Sequence, residues 1–411
     1  MGSKTKTGSM ENKNFLVPLI VTLVVQSMVS MVAVTVPVLA PSAAPDIGVS
    51  STSVGLYVSI MYIGSMMSSL FSGNFILRYG GLRVSQICLV LTGIGLILTA
   101  WASLPAMIVS AFIIGIGYGP VTPASSHILA RTTPARMMSF VFSLKQTGVP
   151  LGGVMAGAVV PVLVLSVGWK NGAVCISMFA ILVALCIHPL RAGIDSDRQP
   201  NRAVSFRGAF RPLRLVFSHR PLLHLAIISF FYAGMQLCLF TYLVIYLTKD
   251  IGMAFIAAGL TLSAAQMAGT IGRIVWGLLA DHFVKPRLLL GLLGIGMTVG
   301  AVLTAAISSS WSTAAVVAAV IFFGATAVGW NGVYLAEAAR LAPGGQVGAA
   351  TGGTLAFTFL GVVLGPPMFA AIASGTNSYP MGFVFFAGLT FIGGVLAIAS
   401  CRKNGEPDKL V

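Results

Sequence analysis

The feature that most constrains this chain is the length of its uncharged apolar runs. Leu288 to Ile307 carries no charged side chain at all, and at a rise of about 1.5 Å per residue a helix of about 20 residues crosses about 30 Å of hydrocarbon. Only helices can do so here. A barrel needs strands of about ten residues alternating polar and apolar, and neither this run nor Met107 to Ile114 alternates. Hydrophobic residues make up 57% of the 411 and charged residues 8%, against about 25% charged in a soluble domain. With a mean hydropathy of +0.95, lipid is the main solvent.

The runs fall at 15–39, 52–77, 84–103, 105–130, 138–166 and 169–190, then at 222–248, 254–280, 286–307, 311–339, 346–373 and 379–401. The expected fold class is therefore all-α integral membrane, twelve transmembrane helices in two six-helix bundles. A tail at 1–14, whose opening MGSKTKTGS before Met10 looks like a vector remnant, precedes an N-terminal bundle at 15–190. A connector at 191–221 then leads to a C-terminal bundle at 222–401 and a tail at 402–411. The stretch from Arg191 to Arg220 holds seven arginines and too little apolar surface to fold alone, leaving room for a short amphipathic helix at the membrane surface.

The net charge of +15 invites a nucleic-acid reading, which the location of the 24 basic residues removes. With a cytoplasmic N-terminus, 20 of them fall on the inner loops, connector and tails, and only Lys170 and Lys249 fall outside. This asymmetry places both termini in the cytoplasm of a bacterial inner membrane. The five cysteines show no CxxC spacing, so no disulfide or metal site follows, and no cofactor is expected. The first apolar run lacks a convincing cleavage site and is retained as a helix.

The two halves repeat. Asp46-Ile47-Gly48 recurs 204 positions later as Asp250-Ile251-Gly252, and Gly73 as Gly277; Ala130-Arg131 and Pro134 recur 209 positions later as Ala339-Arg340 and Pro343. Parallel repeats of this kind place a substrate site between the halves near the midplane. With these features the chain resembles the major facilitator superfamily over essentially its whole length. The family's loop motif GxLaDrxGrk is matched by Gly277 to Arg287, which keeps Gly277, Asp281 and two basic residues but has Val284 at the second glycine. The first copy keeps Gly73, Arg78, Gly80 and Arg83 and has Leu77 in place of the aspartate. The resemblance implies a gating role for Asp281, Arg78 and Arg83.

Lys145 and Arg273 remain, both inside expected helices. A buried cation costs at least about 2.5–3.5 kcal/mol, so each needs a partner, a wet cavity or a task. Counted from Arg136 and Asp281, both lie about 12–14 Å from the inner surface. The Lys145 stem spans only about 6 Å, too short to reach that surface. In the resembled fold the two helices are neighbours from opposite halves, so the cations can share one anion.

The spacing Arg273-x3-Gly277-x3-Asp281 is similar to that of the oxalate:formate antiporter and monocarboxylate transporter branches, which implies that Arg273 binds a substrate carboxylate. A guanidinium offers two parallel donors to it, the alternative for Arg273 being a structural pair with a helix C-terminus or with Glu337. Where the oxalate exchanger has a lysine on helix 11, this chain has Thr354, and Lys145 is its repeat mate on helix 5. The run Lys145 to Gly153 resembles cyanate-type branches, with glycines at 148, 152, 153 and 157 suited to close helix packing.

Gln26, Gln236 and Asn331 sit at comparable depth, each either a bond between helices or a ligand contact, with Tyr118, Tyr232 and Trp330 as candidate walls. Glu337, three residues before Arg340, suits a local ion pair, with a coupling role as the alternative. His127, four before Arg131, reads as a helix-end residue, with a proton switch as the alternative.

The function expected is secondary active transport of a small organic anion, a monocarboxylate, by alternating access, with proton symport favoured and Lys145 as the group able to exchange a proton. The partners are then that anion, protons and the bilayer, with no nucleic acid and a monomeric chain. Anion exchange or proton-driven efflux of an anionic or neutral metabolite or drug are the alternatives, with a non-transporting sensor or scaffold from another class. An enzyme is not expected, because His127, His188 and His224 are scattered and form no cluster at one depth.

Overall fold

In the computed structural model, which describes residues 15–48, 54–201 and 210–403, the apolar runs are helical. The first bundle contains α1 (Leu16–Ile47), α2 (Val54–Tyr79), α3 (Gly81–Leu98), α4 (Leu104–Tyr118), α5 (Val121–Thr132), α6 (Met138–Gln146) and α7 (Gly148–Cys186). The connector contributes α8 (Arg191–Ile194) and α9 (Arg211–Ser218). The second bundle contains α10 (Arg220–Lys249), α11 (Phe255–His282), α12 (Pro286–Ala305), α13 (Thr313–Gly329), α14 (Asn331–Arg340), α15 (Val347–Thr376) and α16 (Tyr379–Lys403).

These make twelve crossings because three are broken and one helix turns back. The fourth crossing, α4 and α5, breaks at Gly119-Pro120, the fifth at Thr147, and the tenth, α13 and α14, at Trp330. Within α7 the chain reverses at Gly168, whose φ of 81° and ψ of 161° suit a residue without a Cβ, and Trp169 opens the sixth crossing. Among the described residues ten stretches are long and apolar enough to span; one of them, Ala135–Ile194, holds two crossings, and α11 is the twelfth.

The sequence repeat is a structural repeat. In the first bundle α1 packs on α7, α2 on α4, and α3 on the returning part of α7; in the second the same roles pair α10 with α15, α11 with α13, and α12 with α16. Outward faces stay apolar and exposed, as at Val154, Leu165, Leu260 and Met267. Such a surface suits lipid contact and would be a liability in water. Inside, small residues let backbones meet: a Cβ on Gly152 would stand 2.6 Å from the Met31 amide nitrogen. Gly153 and Gly157 face open space instead, so the packing expected of all four glycines applies to Gly148 and Gly152 only.

The bundles meet at the end that carries the connector. There α2 packs on α15, α5 on α14 and α15, and α6 on α11 and α14. The opposite-end segments α4, α7 and α13 find their main packing partners within their own bundle. The amphipathic α9 buries Pro212 and Val216 against α15 and α2 while Phe217 stays exposed.

Candidate functional site

The two membrane-embedded cations lie where two of the broken crossings face each other. Lys145 ends α6 and is 2% exposed; Arg273, in mid α11, is 3% exposed. The Lys145 ammonium donates to Gln26 Oε1 at 2.7 Å and to Gln146 Oε1 at 3.1 Å. Arg273 donates through Nε to the Val328 carbonyl at 3.0 Å and through Nη1 to the Gln146 carbonyl at 2.5 Å. Gln146 thus touches both, one through its side chain and the other through its backbone, and the two cations lie within electrostatic range. Among the described residues every acceptor on them is a neutral amide oxygen. Neutral acceptors satisfy donors but do not cancel charge, so the two groups share a neighbourhood without a charged partner among the described residues.

Around the pair, Gln26 Oε1 also accepts from Thr122 Oγ1 at 3.3 Å, and Gln26 Nε2 donates to Ser30 Oγ at 3.2 Å. Tyr118 lies near Ser30 and within electrostatic range of Arg273. Its ring meets Tyr62 edge-on at 6.3 Å, and Tyr62 reaches across the bundles to Phe359 at 5.9 Å. In the second bundle, Gln236 Oε1 accepts from both Trp330 Nε1 and Asn331 Nδ2 at 3.2 Å, a cluster that fixes the break in the tenth crossing.

Two expected wall or ligand residues are turned to other tasks. Tyr232 is fully buried, donates to the Leu290 carbonyl at 2.9 Å and packs edge-on against Trp330, so it ties α10 to α12. Thr354 bonds its own helix at Ala350 and belongs to a separate cluster with Tyr334. Gln146, Thr122, Ser30 and Tyr62 were missed: depth along a helix can be counted from sequence, but azimuth cannot when apolar residues surround the whole helix.

At the connector end, Asp281 accepts backbone N–H bonds from Ser139 at 2.9 Å and Phe140 at 2.6 Å, in the first turn of α6, and pairs with Arg340 at 3.0 Å. A carboxylate from one bundle therefore caps a helix N-terminus of the other, where orphan N–H groups and the helix dipole both favour negative charge. Glu337 takes Arg287 as its main partner, at 2.8 Å, with Arg340 more distant at 3.9 Å. The local pair expected from sequence is secondary to one that spans 50 residues.

The first bundle lacks acids at the matching places, which hold Leu77 and Ile128, and the connector supplies them. Asp195 accepts from the Leu82 and Arg83 amides at 2.8 and 3.0 Å, capping α3. Asp197 bonds His127 Nε2 at 2.7 Å and pairs with Arg131. Burial pushes Asp197 up, but His127 and Arg131 outweigh it and hold the carboxyl down to about 2. His127 is thus a docking point for the connector. Arg78 lies over the Tyr79 ring at 5.4 Å, while the Arg83 side chain reaches Gln86. The Gln199 amide donates to the Leu77 carbonyl at 2.7 Å, beside the site of the missing aspartate.

Comparison with known proteins agrees with this architecture. The sequence model described as Major Facilitator Superfamily matches residues 19–352. The hexuronate transporter of Bacillus subtilis is 21% identical over 60% of this chain, and the protein named "Probable sulfoacetate transporter SauU" of Cupriavidus necator is 24% identical over 60%. In each case the match covers 60% of the relative's length. Among solved structures, the E. coli fucose:proton symporter FucP superimposes with a TM-score of 0.75 at 17% identity, over 94% of this chain and 98% of that one.

Proposed function

We propose that this chain, which belongs to the Major Facilitator Superfamily, is a secondary transporter that carries a small carboxylate by alternating access, with Arg273 as the carboxylate clamp and Lys145 as the second positive charge. The observation that carries this reading is the pair of buried cations, one from each bundle, both resting on neutral oxygens of Gln26, Gln146 and Val328. An anion supplies the missing charge, and a carboxylate can take two parallel N–H bonds from a guanidinium where a carbonyl takes one. That the two relatives are named for a hexuronate and for sulfoacetate, both organic anions, supports the class of substrate. The excess of basic residues on the connector side supports a cytoplasmic location for that end in a bacterial inner membrane, so the conformation described is closed to the cytoplasm.

In this reading the anion enters from the end opposite the connector, reaches Lys145 and Arg273, and leaves when the Asp281 contacts part. Proton symport uses Lys145 as the exchanging group. Exchange of one anion for another is the second reading, favoured by the neutral partners of both cations, since no carboxylate among the described residues stands beside them to carry a proton. Uptake of labelled lactate, glucuronate and 4-hydroxybenzoate into vesicles holding the purified chain tests both. At least one is expected to enter with wild type and not with Arg273→Ala, and faster when an inward proton gradient is imposed. Entry that ignores the gradient but needs a trapped anion establishes exchange; equal entry with and without Arg273 contradicts the clamp.

A further inference from the structure

A main-chain carbonyl inside a helix normally spends one of its two lone pairs on the amide four residues on, so a foreign donor shares it with that amide. Gln146 is different. The residue four positions later is Pro150, which has no N–H, so the helical partner of this carbonyl does not exist. The carbonyl lies at the break between α6 and α7, is buried with Gln146 at 6% exposure, and receives Arg273 Nη1 from the other bundle. The second carbonyl on Arg273, that of Val328, lies in the last turn of α13, where helical carbonyls also run short of donors. Both backbone oxygens on the guanidinium are products of helix breaks.

We infer that the Gln146 main-chain oxygen, released by Pro150, is an internal stand-in for the substrate carboxylate: it holds Arg273 across the two bundles while the site is empty and is displaced when an anion binds. Pro150 is then a positioning residue for transport, acting through Gln146. This deepens the carboxylate reading and rests on it for the identity of the competitor. A carboxylate wins the guanidinium because its charge makes it the stronger acceptor. Once it does, the direct bond from Arg273 to the first bundle near the midplane is exchanged for contacts through the anion to Arg273 and Lys145, whose geometry differs from that of the bond replaced. The anion thus changes the relative stability of the two conformations, as any ligand that drives a conformational cycle must.

The direct test needs no substrate. In the full-length chain with its native cysteines replaced, Ser139→Cys sits at the closed end, fully buried beside Asp281, so its alkylation by a maleimide reports how often that end opens. Pro150→Ala supplies an amide that competes for the Gln146 carbonyl and weakens its bond to Arg273, and labelling is expected to quicken by up to about tenfold, the effect of losing one bond to a charged donor. Pro150→Gly supplies the same amide and is expected to act in the same direction. Rates equal to the parent in both variants overturn the inference.

A second measurement holds even if the proline variants fail to fold. Gln146-Thr147 is the only Gln-Thr pair in the chain, so carbonyl-13C glutamine with 15N threonine isolates one resonance. Arg273→Gln must move it; a stationary resonance shows that no guanidinium was bonded there. The two readings fail separately. Absence of carboxylate uptake sinks the transport reading with the labelling result intact, and unchanged labelling sinks this one with uptake intact.

Discussion

Asp281→Asn perturbs the closed end with almost no change in shape. The wild-type carboxylate, whose side chain is fully shielded, accepts the Ser139 and Phe140 amides at 2.9 and 2.6 Å and the Arg340 guanidinium at 3.0 Å. Asparagine keeps one acceptor oxygen and turns an NH2 toward a donor, so at least one amide bond and the ion pair are lost. Bonds to a charged group contribute about 1.5–3 kcal/mol each, and some of this returns as water enters, so a net loss of about 3 kcal/mol is reasonable. That shifts the balance between closed and open by roughly a hundredfold. Double electron–electron resonance between nitroxides on Ala135→Cys and Gly344→Cys, exposed on the two bundles at this end, reads the change directly. Asp281→Asn should give a second, longer distance, and Arg340→Met, which removes one of the three contacts, a smaller fraction of it. A single unchanged distance in Asp281→Asn would refute the view that this carboxylate holds the end shut.

Three further outcomes follow from the same geometry. Glu337→Gln strands Arg287 in a site where both partners are 8% exposed, and should cost about 3–5 kcal/mol in thermal unfolding, whereas Glu337→Met with Arg287→Met should recover most of it. Gly152→Val forces side-chain atoms against the α1 backbone and should lower the melting temperature, the overpacking costing about 1–3 kcal/mol, while Gly153→Ala, which meets nothing, should leave it unchanged. Asp197 titrates below its ordinary range, so its support of the folded connector is full above the usual carboxylate pKa of about 4 and fades as pH falls from there toward about 2. Trypsin cleavage after Arg198, measured at one pH near about 8, should therefore be faster in Asp197→Asn than in wild type; a wild-type rate in that variant would show that the pair does not anchor the connector.

Sequence carried the fold because the bilayer turns composition into geometry: an apolar run of sufficient length has one stable conformation in lipid. It also carried the depth of Lys145 and Arg273, which needs only a count from the nearest loop. What it did not carry was direction around each helix. Thr354 occupies the place where the resembled branch carries a lysine, and it bonds its own turn. Tyr232 has the depth of a cavity wall and spends its hydroxyl on Leu290. Helix breaks were missed for a related reason. Each break lies inside a run long enough to span, so the polar stretches Lys145-Gln146-Thr147 and Trp330-Asn331 read as site residues within one helix, and Pro150, four residues beyond Gln146, is the mark of the released carbonyl. The acids of the connector escaped notice because Asp195 and Asp197 lie far in sequence from Leu82 and His127, and charge counting cannot supply tertiary contacts.

The central claim is that Arg273 and Lys145 hold one anion jointly, and a double-mutant cycle on equilibrium binding tests it most directly. With the carboxylate that vesicle uptake identifies, dissociation constants are measured for wild type, Arg273→Gln, Lys145→Met and the double variant. Joint binding predicts that each single change weakens affinity by tenfold or more and that the double change costs less than their sum by about 1 kcal/mol or more. Strict additivity, or an affinity untouched by either change, would contradict a shared site between the bundles.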